Sequence, residues 1–135
     1  MQMSELLQLT GLSEKAVRLY EDKGLIRPER ATNGRRQFSG EDLARLTFLG
    51  QARRLGFPLS DCIKLLELSQ DENRRSAEVK AIARQFLEDL ELKRLELEAV
   101  TEVLSSLVET CPGDENPDCS IINALARNPG IADVG

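Results

Sequence analysis

The 135-residue chain has no histidine and no tryptophan, and aromatic residues make up only 4% of it. Without histidine, the usual general base and the commonest neutral metal ligand are missing. Most hydrolytic constellations are therefore hard to build, and an enzyme is not expected. Few aromatics argue against a large globular core and for helices that bury Leu, Val and Ile along stripes. No apolar run approaches the ~20 residues needed to cross a bilayer, so no membrane partner is expected. The N-terminus lacks a signal-peptide pattern, and the chain reads as cytoplasmic. Cysteine is also sparse, with Cys62, Cys111 and Cys119 alone. In a reducing compartment, a cysteine pair points to metal binding or redox chemistry before a structural staple.

Charge is abundant but uneven. The net of −5 divides into +3 over residues 1–56, from 10 Lys/Arg and 7 Asp/Glu, and −8 over residues 57–135, from 8 and 16. A basic head on an acidic body suits an anionic partner for the head.

The head contains two short helical patterns. Met3, Leu6 and Leu7 share one face before Thr10-Gly11. Ser13 then stands as N-cap to EKAVRLYEDK, where Ala16, Val17 and Tyr20 recur at helical spacing and Gly24 supplies the stop. Two helices joined by a glycine-containing turn suit a helix-turn-helix, whose second helix enters the major groove of DNA, or a plain αα-hairpin with a solvated basic face. Lys15 and Arg18 point outward on that helix. LIRPERATNGRRQFS follows as a hairpin with an Asn33-Gly34 turn, carrying Arg27, Arg30, Arg35 and Arg36. Arginines crowded there suit a wing lying on the phosphate backbone, where Arg35 can hold a phosphate. Ser39 caps the next helix, which ends near Arg53 and Arg54, and Arg54 joins the DNA-binding candidates.

Pro58 opens a short amphipathic helix bearing Cys62, which reads as a small buried apolar residue. From Ser76 the period changes. Ser76, Val79, Ala83, Phe86, Leu90, Lys93, Leu97, Val100, Leu104 and Leu107 follow alternating three- and four-residue steps, the mark of a coiled-coil seam. A stripe of roughly 50 Å outruns anything else in the chain, so a second copy must cover it, and a homodimer is expected.

The segment CPGDENPDC ends in Cys111 and Cys119. Four readings stand: a disulfide; an ordinary polar turn; a zinc site completed by Asp114, Glu115 or Asp118; and a soft monovalent ion held by two thiolates. Two thiolates without another strong donor suit a low-coordinate +1 ion, leaving a net −1 at the site.

AVRLYEDKGLI, then NGRRQFS, then LGQARRLGFPLSD resemble, in that order, the winged-helix head of MerR-family transcription regulators, and the resemblance runs through nearly the whole chain. It implies that Arg18, Tyr20 and Arg36 occupy DNA-contacting positions. The family wing usually reads Asn-Gly-Tyr-Arg with another tyrosine two residues on; Arg35 and Phe38 stand there instead. C-P-G-D-x-x-x-D-C, with R-S-A-E-V-K around Ser76, resembles the copper efflux regulator (CueR) subgroup. That likeness implies Cys111 and Cys119 as ligands of Cu(I), with Ag(I) or Au(I) as substitutes. Ser76 would be a neighbour rather than a ligand, standing where divalent-metal sensors place a cysteine. It also implies antiparallel pairing of the long helices, which brings Ser76 of one subunit towards the 111–119 loop of the other.

The expected fold is mainly α: a winged helix-turn-helix head (1–56), a connecting helix (57–72), a long antiparallel coiled-coil dimerisation helix (73–110), a metal-binding loop with a short helix (111–126) and a flexible tail (127–135). The expected function is a metal-responsive activator of copper-tolerance promoters. It would act on double-stranded promoter DNA, together with RNA polymerase holoenzyme, by distorting the DNA. The alternatives are a Cu(I)-buffering thiol protein or metallochaperone, and a zinc- or redox-responsive regulator of the same fold.

Overall fold

The computed structural model describes residues 1–127; the tail expected over 127–135 lies outside the described residues from 128 onward. The architecture is mainly helical, with six helices and one two-stranded ribbon among the described residues. Two compact units divide after Arg84.

In the first unit, α1 (Met3–Thr10) ends at Gly11, whose φ of 70° lets its N–H reach the Leu7 carbonyl. α2 (Glu14–Asp22) begins as expected on Ser13, whose hydroxyl accepts the Ala16 N–H at 3.1 Å. It closes through Gly24 at φ 74°. The Leu25 N–H reaches back to the Tyr20 carbonyl and that of Gly24 to Glu21, the paired bonds of a Schellman end. α3 (Gly40–Arg54) opens on a full capping box: Ser39 accepts from the Asp42 N–H while the Asp42 carboxylate accepts from the Ser39 N–H. α4 (Leu59–Ser69) follows Pro58.

α3 packs against both α1 and α4. Leu6, Val17, Leu46, Leu49 and Cys62 are fully buried where these helices meet, and each Leu or Val contributes ~1.5–3 kcal/mol by leaving water. Gly50 lets α3 approach Leu12 closely; a Cβ there would meet the Leu12 side chain at 3.3 Å.

The hairpin is shorter than its apolar flanks suggest. β1 (Glu29–Arg30) pairs antiparallel with β2 (Arg36–Gln37), and Ala31 closes onto Arg35 around Gly34 at φ 80°. Leu25 and Ile26 join no strand, because α3 side chains satisfy this part of the backbone. Arg45 donates to the Leu25 carbonyl at 3.0 Å, and Asp42 accepts the Arg27 N–H. The Phe38 N–H pairs with the Met1 carbonyl.

α5 (Ser76–Thr110) runs 35 residues from the first unit into the second, about 50 Å at the usual rise. Of the seam positions in the second unit, Phe86 is buried, whereas Leu90, Leu97, Val100 and Leu104 lie exposed. Exposed ion pairs such as Arg94 with Glu91 and Glu98 flank them. α6 (Ser120–Arg127) completes the described chain.

Candidate nucleic-acid interface and thiol pair

α2 and the wing carry the basic residues. Lys15 and Arg18 stand exposed on the outer face of α2, with Arg18 donating to Glu14 one turn earlier at 2.8 Å. Tyr20, expected among the DNA contacts, is 4% exposed and belongs to the core cluster that holds Val17 and Leu46. The reason is helical period: three residues after Val17, it falls on the inward face. Burial, ahead of the nearby Cys62, raises its phenol pKa.

A groove of about 400 Å³ lies between the start of α1 and the wing, lined by Gln2, Ser4, Glu14, Arg30, Arg35 and Arg36. Arg35 is exposed; its backbone N–H donates to Asn33 at 3.0 Å and its carbonyl accepts the Ala31 N–H, while its guanidinium has no partner among the described residues. Arg36 is half-buried and donates from Nε to Glu21 at 2.5 Å. Arg54 donates to the Thr10 carbonyl at 2.9 Å, tying α3 to the end of α1 across 44 residues. Sequence reasoning missed Glu21, Asp42 and Arg45 as organisers of this region. Only the Ser39-x-x-Asp42 spacing carried a local signal; the other contacts join residues 15 or 20 apart.

At the far end of the chain, Cys111 follows the last turn of α5 and Cys119 stands just before α6, where its carbonyl accepts the Asn123 N–H. Gly113 turns the loop at φ 65°. Asp114 and Asn116 each accept a backbone N–H two residues on, at 2.9 and 3.2 Å. Ser120 fastens α6 to α5, donating to the Leu107 carbonyl at 2.8 Å and accepting from the Thr110 hydroxyl.

These ties set the two sulfurs 3.3 Å apart as free thiols. The Ile122 N–H at the start of α6, and then the Cys111 thiol, draw the Cys119 pKa below the ordinary thiol range, as helix N-termini do. Among the described residues no three His, Cys, Asp or Glu side chains gather as a metal-binding group. Ile121 is half-buried beside the loop, while Ile122 and Leu125 are exposed. Ser76 is exposed at the start of α5.

A helix-turn-helix with an arginine-bearing wing, continued by a long helix, defines a DNA-binding regulator. Residues 1–69 match the family described as "MerR HTH family regulatory protein", and residues 43–107 match "MerR, DNA binding". The chain belongs to the MerR family of helix-turn-helix transcription regulators and is not an enzyme. It is 41% identical over 126 residues to the HTH-type transcriptional regulator HmrR of Rhizobium leguminosarum bv. viciae, covering 93% of this chain and 98% of that one. It is likewise 41% identical over 127 residues to the HTH-type transcriptional regulator CueR of Salmonella typhimurium, with coverages of 93% and 92%. Among solved structures, the transcription regulator PbrR691 of Ralstonia metallidurans CH34 in complex with lead(II) superposes with a TM-score of 0.76 at 28% identity, covering 93% of this chain and 98% of that one. No helix among the described residues is long and apolar enough to cross a membrane.

Proposed function

We propose that this regulator is a cytoplasmic homodimer that senses Cu(I), with Ag(I) or Au(I) as substitutes, and activates copper-efflux promoters by distorting promoter DNA for RNA polymerase holoenzyme. The observation that carries the reading is the pair of free thiols, Cys111 donating to Cys119 with their sulfurs 3.3 Å apart and the Cys119 pKa drawn down. A metal ligand must be a thiolate, and the lowered pKa of Cys119 favours that form. The likeness to CueR supports the same class of signal, and PbrR691, a transcription regulator of similar fold, is solved in complex with lead(II).

The donor set favours a monovalent ion over zinc. Zinc takes four ligands in structural sites, and the described residues gather no third strong donor around the thiols. Two soft sulfurs suit a monovalent soft ion. Cys111 and Cys119 would hold such an ion, and its single positive charge would offset half that of the two thiolates. Cys111 stands at the end of α5 and Cys119 at the start of α6, so an ion held by both would tie one helix to the other. Ser120 already braces that joint. In the antiparallel dimer Ser76 of the other subunit approaches the loop and offers a hydroxyl without adding a thiolate.

On the DNA side, Lys15, Arg18, Arg35 and Arg36 face the duplex, and Arg54 stabilises the helix-turn-helix that presents them. Backbone contacts supply the energy that deforms the promoter, and the deformation and metal affinity must bias one another equally. A thiol-oxidation switch is the second reading, favoured by the same sulfur–sulfur approach.

The test is an anaerobic titration of the reduced protein with Cu(I) and, in parallel, Zn(II), at buffered free-ion concentrations. One tightly held Cu(I) per loop, lost in both Cys111→Ser and Cys119→Ser and not matched by zinc, is expected. Tight zinc binding, or Cu(I) retained by both variants, would overturn the two-thiolate site. Weak binding of both ions together with a promoter response to oxidant would favour the redox reading.

A further inference from the structure

We infer that Glu21 is a specificity-determining positioning residue of the DNA interface, holding the wing's Arg30 and Arg36 in register with the recognition helix. The inference rests on α2 and the wing forming the DNA-facing surface.

Arg30 and Arg36 are direct cross-strand partners in the ribbon. Like charges opposite one another destabilise a strand pair, and a ribbon of two residues per strand has few hydrogen bonds to resist them. The Glu21 carboxylate answers both: Oε2 accepts from Arg36 Nε at 2.5 Å, and Oε1 lies 3.6 Å from Arg30 Nη2. The Glu21 and Arg36 side chains are only 20% and 23% exposed, so solvent screens this pair less than the fully exposed pairs on α5.

The geometry holds one edge of Arg36 and leaves its terminal N–H groups without a partner among the described residues. A guanidinium gripped at Nε presents those donors in a fixed direction, which suits one phosphate position over others. Arg35, whose guanidinium has no partner among the described residues, then adds a free cation to the wing. One carboxylate against two guanidiniums leaves a net +1, so Glu21 lowers indiscriminate attraction to DNA while it orients the arginines. Specificity is a difference of affinities and profits from both effects.

The experiment compares the parent dimer with Glu21→Gln on two duplexes: one selected from a random pool by the parent protein, and one of scrambled sequence with the same composition. Affinity is measured across a salt series. Glu21→Gln should bind the scrambled duplex more tightly, with a slope of log K against log salt steeper by up to about 0.9, equivalent to one more neutralised phosphate. The ratio of selected to scrambled affinity should fall roughly tenfold, or ~1.4 kcal/mol. Glu21→Asp, which keeps the charge, should restore the parental slope. Arg36→Gln approaches the same contact from the wing and should weaken the selected duplex without any gain on the scrambled one.

An equal loss on both duplexes with unchanged slope would make Glu21 a structural strut and overturn the proposal. If Arg35→Ala also left the parental slope unchanged, the DNA-facing assignment of the wing itself would fall.

Discussion

Cys119 and Cys62 place the same thiol in opposite surroundings. Cys119 lies at the start of α6, where the Ile122 N–H and the Cys111 thiol favour its thiolate. Cys62 is fully buried, and that burial pushes its pKa up, despite the opposing charge of Arg53. Its one weak polar contact is with the Phe57 carbonyl at 3.5 Å. In the reduced, metal-free protein an alkylating reagent should therefore modify Cys119 rapidly at neutral pH. The rate should fall as pH drops through a pKa below the ordinary thiol value of about 8.5. Cys62 should stay unlabelled until the chain is unfolded, as read by peptide mass spectrometry. Equal labelling of both in the native protein would contradict the burial.

The sign of the pH effect on stability follows from the same residues. Cys62 and Tyr20 have raised folded-state pKa values, so folding favours their protonated forms. Each contribution is complete below that group's own ordinary pKa, the thiol value for Cys62 and the higher phenol value for Tyr20, and is lost as pH rises through its raised folded-state value. Urea unfolding should show a midpoint steady near neutrality that declines on the alkaline side.

Among elements, the start of α3 does more than begin a helix. Ser39 and Asp42 close the capping box, and Asp42 also accepts the Arg27 N–H that no strand satisfies. Ser39→Ala should cost about 0.5–2 kcal/mol. Asp42→Ala should cost more, because it leaves two N–H groups short of an acceptor and each such buried loss is worth ~1–3 kcal/mol. Chemical denaturation of the two variants gives the comparison; an Asp42→Ala loss no larger than that of Ser39→Ala would mean that water replaces the Arg27 contact. Helix caps of this kind were legible beforehand: Ser13, Ser39 and Gly24 act where their residue types and spacing indicated. The hairpin was legible only at its turn. The apolar character of Leu25 and Ile26 suggested strand, whereas Arg45 and Asp42 from α3 took over the backbone pairing.

At the scale of the molecule, a 35-residue helix that leaves Leu90, Leu97, Val100 and Leu104 in water has the surface of half a coiled coil. Leu97→Glu with Leu104→Glu should convert the proposed dimer to monomers in sedimentation velocity. The melting of the first unit should stay nearly unchanged, since its core of Leu6, Val17, Leu46 and Leu49 does not use these positions. DNA affinity should fall steeply, because two half-sites are no longer held together. A dimer that survived both charges would relocate the interface.

What the sequence determined by itself was everything governed by short-range rules. Helical period marked α1, α2 and the long apolar stripe; capping residues marked helix ends; absent histidine left the cysteine pair as the proposed metal donors. These features depend on neighbours within a turn or two, so they can be read from spacing alone. Tertiary structure decided the rest. It put the Tyr20 ring in the core, turned Arg54 onto the Thr10 carbonyl, joined Arg36 to Glu21, and brought two sulfurs eight residues apart to 3.3 Å. Each outcome depends on where separate elements meet, and burial and charge pairing settle that only once the chain has packed.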